Sequence, residues 1–431
     1  MVGYRNCIRF YAYIIRYVFR QALSSIFHVQ GLFFPKRLDT AVQSRYHIEN
    51  EQKRCRMQEA HTTPEAAGDL RFDPSVFAVG HDYQIIFLTA RKGIGWIEIA
   101  GERFTDEECG LLQYGRVHKI PVPGAALSEA GAYTVVFAAY EEMLSNRPVG
   151  VETVRKTYRF TPLSGDSFRL FQFADTHGRV ESALQTFEAS GGCDILLLNG
   201  DLNSSSDSTD QFDTAFRLSA GAVHGERPVI NARGNHDMRG AAATVLPAYI
   251  PTVCRGGRRE TFYTFRQGPL WGLVLDCGED KADSHVEYGG VIDCDAFRRR
   301  ETQFLESLLT RAEQEYDAPG VLYRIAFCHM PFIERMPAPF NPADDIYETW
   351  TSLLNRMNIQ LLLAGHMHTV YELPPHAPGT HGANFPTAVL SIPAFRHDGG
   401  ETYVGGVLTA ENGRVTARAC PDPASLHSQQ N

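Results

Sequence analysis

The sequence predicts an α/β layered body, closed by extra β-structure and preceded by a small all-β sandwich. Three observations carry that expectation. Between 72 and 162 short strand-like runs alternate with turn residues, and no long helical period occurs. From Phe168 onward, apolar runs of strand length alternate with segments of helix length. Beyond 387 the pattern returns to strands. At 431 residues the chain has room for two or three domains, with no internal repeat. Its 43% hydrophobic and 21% charged residues exclude a collagen-like, coiled-coil or wholly disordered chain. The expected organisation is a basic leader over 1–56, a β-sandwich domain of immunoglobulin or fibronectin type over 70–162, the α/β body over 166–420 and a tail over 421–431.

The leader opposes the rest of the chain in charge. It holds ten Lys or Arg against three acids, a net of +7, which leaves −16 for the remainder of a chain whose total is −9. A body that acidic repels polyanions, so long nucleic acid is not an expected ligand. The apolar stretch at 8–34 is interrupted by Arg9, Arg16 and Arg20. Its longest uncharged run, 21–35, falls roughly ten ångströms short of spanning a bilayer. No small-x-small cleavage site follows it. The leader therefore reads as poorly ordered or as upstream sequence, with Met57 an alternative start. Membrane contact is confined to the alternative in which it lies as a basic amphipathic helix on a surface. Nine cysteines with no short spacing argue against a disulfide framework or a zinc ribbon, and for a reducing, cytoplasmic setting.

Within the all-β region, strands are expected at 83–89, 95–99, 117–122, 133–140 and 157–160. It carries no cluster of His, Asp or Cys, so its expected role is structural. In the body, strands are expected at 170–174, 195–198, 229–232, 273–275, 325–327 and 361–364, and helices at 180–190, 299–314 and 346–357. The closing strands fall at 387–392, 403–409 and 414–417.

Chemistry follows each buried run. Asp175 and His177 come after the first, Gly200 and Asp201 after the second, and Gly234, Asn235, His236 and Asp237 after the third. His329 follows the run at 325–327, and Gly365, His366 and His368 follow the run at 361–364. Ligands of open α/β sheets bind at the carboxyl ends of strands, so five strands deliver oxygen and nitrogen donors to one rim. Each piece alone is a common cap, turn or core histidine. Their joint occurrence in order points to metal binding. Imidazoles and carboxylates without thiolate suit Mn, Fe, Zn or Co better than calcium or a structural zinc.

The series Asp175-x-His177, Gly200-Asp201, Gly234-Asn235-His236-Asp237, His329, Gly365-His366-x-His368 resembles the calcineurin-like metallophosphoesterases over about 168–417. The resemblance implies a two-layered β-sandwich flanked by helices and a centre of two divalent transition-metal ions. One ion would be held by Asp175, His177, Asp201 and His368. The other would be held by Asp201, Asn235, His329 and His366, with Asp201 bridging. A bridging carboxylate suits the roughly 3.5–4 Å spacing of two-metal hydrolases, whose shared hydroxide attacks phosphorus in line with the leaving oxygen. His236 is outside that set. It can protonate the departing alkoxide, with Asp237 fixing its tautomer, or it can merely hydrogen-bond within its loop.

Departures narrow the subclass. Purple acid phosphatases pair a β-module with such a body and place a tyrosine ligand three residues after the Gly-Asp aspartate, where this chain has Ser204. No tyrosinate-iron chromophore is therefore expected. The arginine that protein phosphatases place after Gly-Asp is missing from 201–206. Arg233, Arg179, Arg239, His285 and Arg396 remain candidate substrate contacts, each also readable as an ordinary charge on the surface. The stretch 276–300 is long for a connection and reads either as a substrate-covering loop or as an inert insertion.

The expected activity is metal-dependent hydrolysis of a small phosphate ester, with diesters at least competitive with monoesters. A nucleotide phosphodiesterase or pyrophosphatase on the same centre is the alternative, and a non-catalytic binding scaffold is a more distant one. Composition and motif leave the oligomeric state open.

Overall fold

The computed structural model describes residues 69–427 apart from Asn146, so the expected leader over 1–56 and the last residues of the tail lie outside the described residues. Alternation of buried side chains along each strand builds the body. In the first sheet, Phe168–Phe173, Ile195–Asn199 and Pro228–Ala232 run parallel and are almost wholly buried, as strands covered on both faces must be. Leu170, Leu197 and Ile230 point to one side, where they meet Val274, Ile325, Phe327 and Leu363 of a second sheet. Phe171, Phe173, Leu196, Leu198 and Val229 point to the other side, onto residues of the helices Val180–Ser190 and Asp213–Val223.

The second sheet is built around Leu270–Leu275, Tyr323–Cys328 and Leu361–Ala364, again parallel. Its outer residues, among them Leu273, Leu275, Ala326 and Leu362, pack on the helices Cys294–Leu309 and Asp344–Arg356. Trp350, fully buried, sits against the rings of Phe332 and Tyr347 there. The body is thus two facing sheets with helices on both outer faces, as expected. The helix Cys294–Leu309 starts and ends five residues earlier than the sequence reading placed it.

The all-β region differs in construction from its reading. The two strands expected at 83–89 and 95–99 are one 18-residue strand, Asp82–Ile99. Its pairing shifts register between Leu88 and Gly93. The first half pairs with Ser75–Val79 and Gly115–Val122, the second with Glu102–Thr105 and Ala132–Ala139, so a single strand serves both layers of the sandwich. At the bend a side chain on Gly93 would lie 2.5 Å from the Phe137 ring, which is why the position takes glycine. The region also joins the body edge to edge. Ser75–Val79 pairs parallel with Pro228–Ala232, so the first body sheet runs on into the sandwich and gains a cover for an otherwise open edge. No helix among the described residues is long and apolar enough to cross a membrane.

The long connection between Leu270–Leu275 and Cys294–Leu309 is pinned rather than loose. Arg298, 1% exposed, donates to the carbonyls of Cys277 (2.7 Å) and Glu279 (2.5 Å). Asp283 accepts from the backbone N–H groups of Cys294 (3.1 Å) and Asp295 (2.9 Å), capping the helix that follows. Tyr288 is buried and donates to Asp280 (2.9 Å). Arg298→Met should therefore lower stability by about 3 kcal/mol, since hydrogen bonds from a charged group are worth roughly 1.5–3 kcal/mol each. Chemical denaturation checks this, with amide exchange at 277–283 rising in parallel; a loss under about 0.5 kcal/mol would show that the loop holds itself.

Candidate metal centre

The five strand ends converge on one rim. Asp175, His177 and His368 place ligand-type atoms within 4.8 Å of one another, and Asp201, His329 and His366 do the same. His329 Nε2 lies 3.1 Å from Asp201 Oδ2 in its own group and 3.7 Å from Asp175 Oδ1 in the other. His177 Nε2 and His368 Nε2 face each other at 3.0 Å, and His366 Nδ1 is 3.0 Å from Asn235 Oδ1. All seven residues expected as ligands are thus brought together.

Backbone conformation shows how sharply the chain turns to do this. Asp175, His177, Asp201, His366 and His368 all have positive φ, between 46° and 68°. Left-handed backbone at non-glycine residues costs on the order of 1 kcal/mol or more each and persists only where the surroundings enforce it. Two glycines permit the close packing underneath. A side chain on Gly234 would lie 2.2 Å from Asp201 Oδ1, and one on Gly365 would lie 2.7 Å from Asp175 Oδ2.

Partners outside the ligand set aim each donor. His329 Nδ1–H donates to the Asn199 carbonyl (2.6 Å), which leaves Nε2 for the rim. Asp175 Oδ2 accepts from the His366 backbone N–H (2.7 Å) and from the Ser391 hydroxyl. Its Oδ1 has no hydrogen-bond partner, nor has His329 Nε2 3.7 Å away, although both atoms are buried. Buried polar atoms are ordinarily paired, so these two neighbouring orphans fit residues arranged for cations. Beneath the rim, Asn199 donates to Gln172 (2.9 Å), and Gln172 donates to the Ala364 carbonyl (3.0 Å), tying the two sheets together.

Burial holds the imidazoles of His177 and His366 down at about 4, so both are neutral at physiological pH. Burial acts on His329 in the same direction, but Asp201 and Asp175 outweigh it and push His329 up to about 10. Burial alone would raise Asp201, yet its histidine neighbours, His329 first, hold it below the usual carboxylate range. Burial and the Asp201 charge raise Asp237 to about 7.

His236 occupies the rim beside this cluster, its Nε2 3.9 Å from Asp201 Oδ2. Its tautomer is not set by Asp237, as the sequence suggested. His236 Nδ1–H donates to the Ser204 carbonyl (2.8 Å), while Asp237 accepts from the Gly234 backbone N–H (2.8 Å) and shapes the loop. The reason is geometric: adjacent residues in a tight turn project apart, and the imidazole reaches a backbone carbonyl across the rim. Of the five candidate substrate contacts, Arg239 is brought to the centre. Its Nη1 donates to His236 Nε2 (3.2 Å), and Glu279 and Asp280 hold its guanidinium. Arg233 is committed to the buried carboxylate of Asp276 (2.8 Å). Arg179 and Arg396 both engage Glu401, at 3.6 and 3.5 Å. His285 caps the short turn Val286–Tyr288. Ser391, Asn199, Gln172, Glu279 and Asp280 support the centre without any motif in the sequence to mark them.

Because His329 keeps its proton until well above neutrality while His177 and His366 have already lost theirs, cation uptake must displace a proton from His329. Apparent affinity for Mn should therefore rise with pH between 7 and 9, by up to about tenfold per unit. Calorimetry in buffers of different ionisation enthalpy reads the released proton directly; affinity flat over that range would rule out the displacement.

Residues 168–370 match the family model described as calcineurin-like phosphoesterase. Among solved structures, a purple acid phosphatase from yellow lupin (Lupinus luteus) seeds aligns with a TM-score of 0.53 at 14% identity, over 82% of this chain and 72% of that one. A dimetal phosphatase from Danio rerio aligns with a TM-score of 0.38 at 14% identity, over 60% of this chain and 99% of that one. No curated protein matches the chain in sequence. The lupin likeness carries the fold, and the family match falls on the segment whose strand ends supply the paired Asp and His groups: residues 168–370 form a calcineurin-like phosphoesterase domain.

Proposed function

We propose that the protein hydrolyses small phosphate esters at a centre of two divalent transition-metal ions. The observation that carries the reading is the pair of three-residue Asp/His groups with orphaned buried donor atoms between them. In this reading Asp175, His177 and His368 hold one cation, Asn235, His329 and His366 hold the other, and Asp201 is shared. The donors are imidazole, carboxylate and one amide, which suits Mn, Fe, Zn or Co. When bound, such a pair supplies a hydroxide nucleophile near neutral pH and neutralises charge on the phosphoryl oxygens.

The chain's own residues have separate tasks. Asp201 Oδ1 accepts the His236 backbone N–H (2.8 Å), so the shared carboxylate also places the proposed acid. With Nδ1–H committed to Ser204, His236 presents Nε2 to the rim; once Nε2 has taken a proton from water, the imidazolium can pass that proton to the departing alkoxide and return to the neutral form. Arg239 donates to that nitrogen while the site is free of substrate; a phosphate arriving beside it offers the guanidinium a better acceptor and releases Nε2. Arg239 is also neutralised by Glu279 and Asp280. A rim with so little uncommitted positive charge supports diesters, which carry one negative charge, at least as well as dianionic monoesters. The seven described cysteines are all free, which supports a cytoplasmic setting.

Chelation should abolish turnover and Mn should restore it, with about two ions per chain by elemental analysis. Asp201→Ala should lower occupancy of both sites together; full turnover by metal-free protein would end the proposal. His236→Asn should slow esters with alkoxide leaving groups by about 10²–10⁴ and nitrophenyl esters much less, since nitrophenolate departs unprotonated. Equal losses on both, with metal retained, would assign His236 to positioning.

A further inference from the structure

Beside the centre, a shallow recess opens between the segments at 330–347 and 366–367. Its walls are apolar: Met330, Phe332, Met336, Phe340 and Met367 contribute most of them. One end is closed by His366, which also belongs to the candidate metal residues. A phosphate held at those residues would therefore stand beside the recess, within reach of its lining. Asp280, Glu334 and Asp344 also line it, and neither lysine nor arginine is among the lining residues.

The nearby cations do not relieve that charge. Lys281 Nζ lies over the Phe340 ring (5.2 Å) but is bound to Asp280 (3.0 Å) and Glu287 (3.1 Å). Arg239 is held by Glu279 and Asp280. Glu334 accepts the Tyr371 hydroxyl, and burial raises its carboxyl above the ordinary range. Asp344 accepts only the Asn341 amide, at 3.3 Å, and stands 3.7 Å from His381.

We propose that this recess receives the alcohol part of the ester and selects apolar alcohols that bear no negative charge. The inference rests on the phosphoesterase reading and deepens it by naming the substrate class. Alkyl and aryl groups gain from leaving water, and the three methionines adapt to their differing outlines. A second phosphate or a carboxylate on the alcohol would be brought against Asp344, while the cations beside Asp280 are already taken up by Asp280, Glu279 and Glu287. Nucleotide polyphosphates and acidic phosphopeptides are excluded on that ground, whereas neutral or ammonium-bearing alcohols are admitted.

Alkylphosphonates test this because each carries a single organic group and is not hydrolysed. With the full-length, Mn-loaded protein, calorimetry and competitive inhibition should show hexylphosphonate binding about tenfold more tightly than methylphosphonate, the gain expected from burying a few methylenes. 5-Carboxypentylphosphonate should bind no better than the methyl compound. Met336→Ala combined with Phe340→Ala should reduce the hexyl advantage to under about threefold. Equal affinity for the methyl and hexyl compounds would overturn the proposal, as would carboxypentyl binding as tightly as hexyl. Turnover of bis(4-nitrophenyl) phosphate, measured alongside, separates the two readings. Its absence would count against the diesterase reading, while the phosphonate series would still decide what the recess binds.

Discussion

Two carboxylates, Asp175 and Asp201, are buried side by side at the junction of two sheets, and much of the rest of the structure answers to that placement. Burying one unpaired carboxylate is costly, and a second raises the cost through repulsion. The chain supplies four imidazoles and an amide around the pair, then stops short of completing their hydrogen bonds. Asp175 Oδ1 and His329 Nε2, which stand 3.7 Å apart, are among the buried atoms left without a hydrogen bond. Strained backbone at five of the seven proposed ligands has the same origin, since donors must turn back over the sheet ends to meet at one point.

That concentration of strain needs a stiff support. The Gln172–Asn199 pair locks the inner faces of the two sheets beneath the rim, and Ser391 holds one oxygen of Asp175 from a third direction. The connection at 276–293 adds the outer wall. Arg298 fixes its backbone from below, and Glu279 and Asp280 then hold Arg239 against His236. The same loop that orients the proposed acid also lends Asp280 to the recess beside His366, so proton delivery and substrate choice share one support.

How much of this could be read in advance depended on how local the information was. The layered body was legible because parallel strands buried on both faces write continuous apolar runs, and the donors were legible because each follows such a run within a few residues. What escaped were pairings between distant segments. The bent strand Asp82–Ile99 looked like two, because Gly93 and its neighbours resemble a turn. The edge pairing of Ser75–Val79 with Pro228–Ala232 leaves no mark in either segment. The helix Asp213–Val223 was missed because Thr214 and Ser219 interrupt its buried face and Ala215, Ala220, Gly221 and Ala222 dilute its apolar pattern. At the site, the misassigned partner of His236 is the clearest case: a neighbouring carboxylate in sequence was preferred to a carbonyl 32 residues away in the chain.

The all-β region fits this picture as support for the body. Its first strand covers the edge at Pro228–Ala232, the strand whose end carries Asn235 and His236, and Tyr133 reaches from it to the Gly225 carbonyl (2.8 Å) just before that strand begins. Tyr263 holds the same strand from the other sheet, exchanging hydrogen bonds with the backbone of Asn231. The strand presenting the proposed acid is thereby restrained at its edge, at its start and from the facing layer. A general acid must stay within about 0.5 Å of its productive position to be useful. The region that carries no chemistry of its own accordingly contributes to the chemistry by removing freedom from the strand that does.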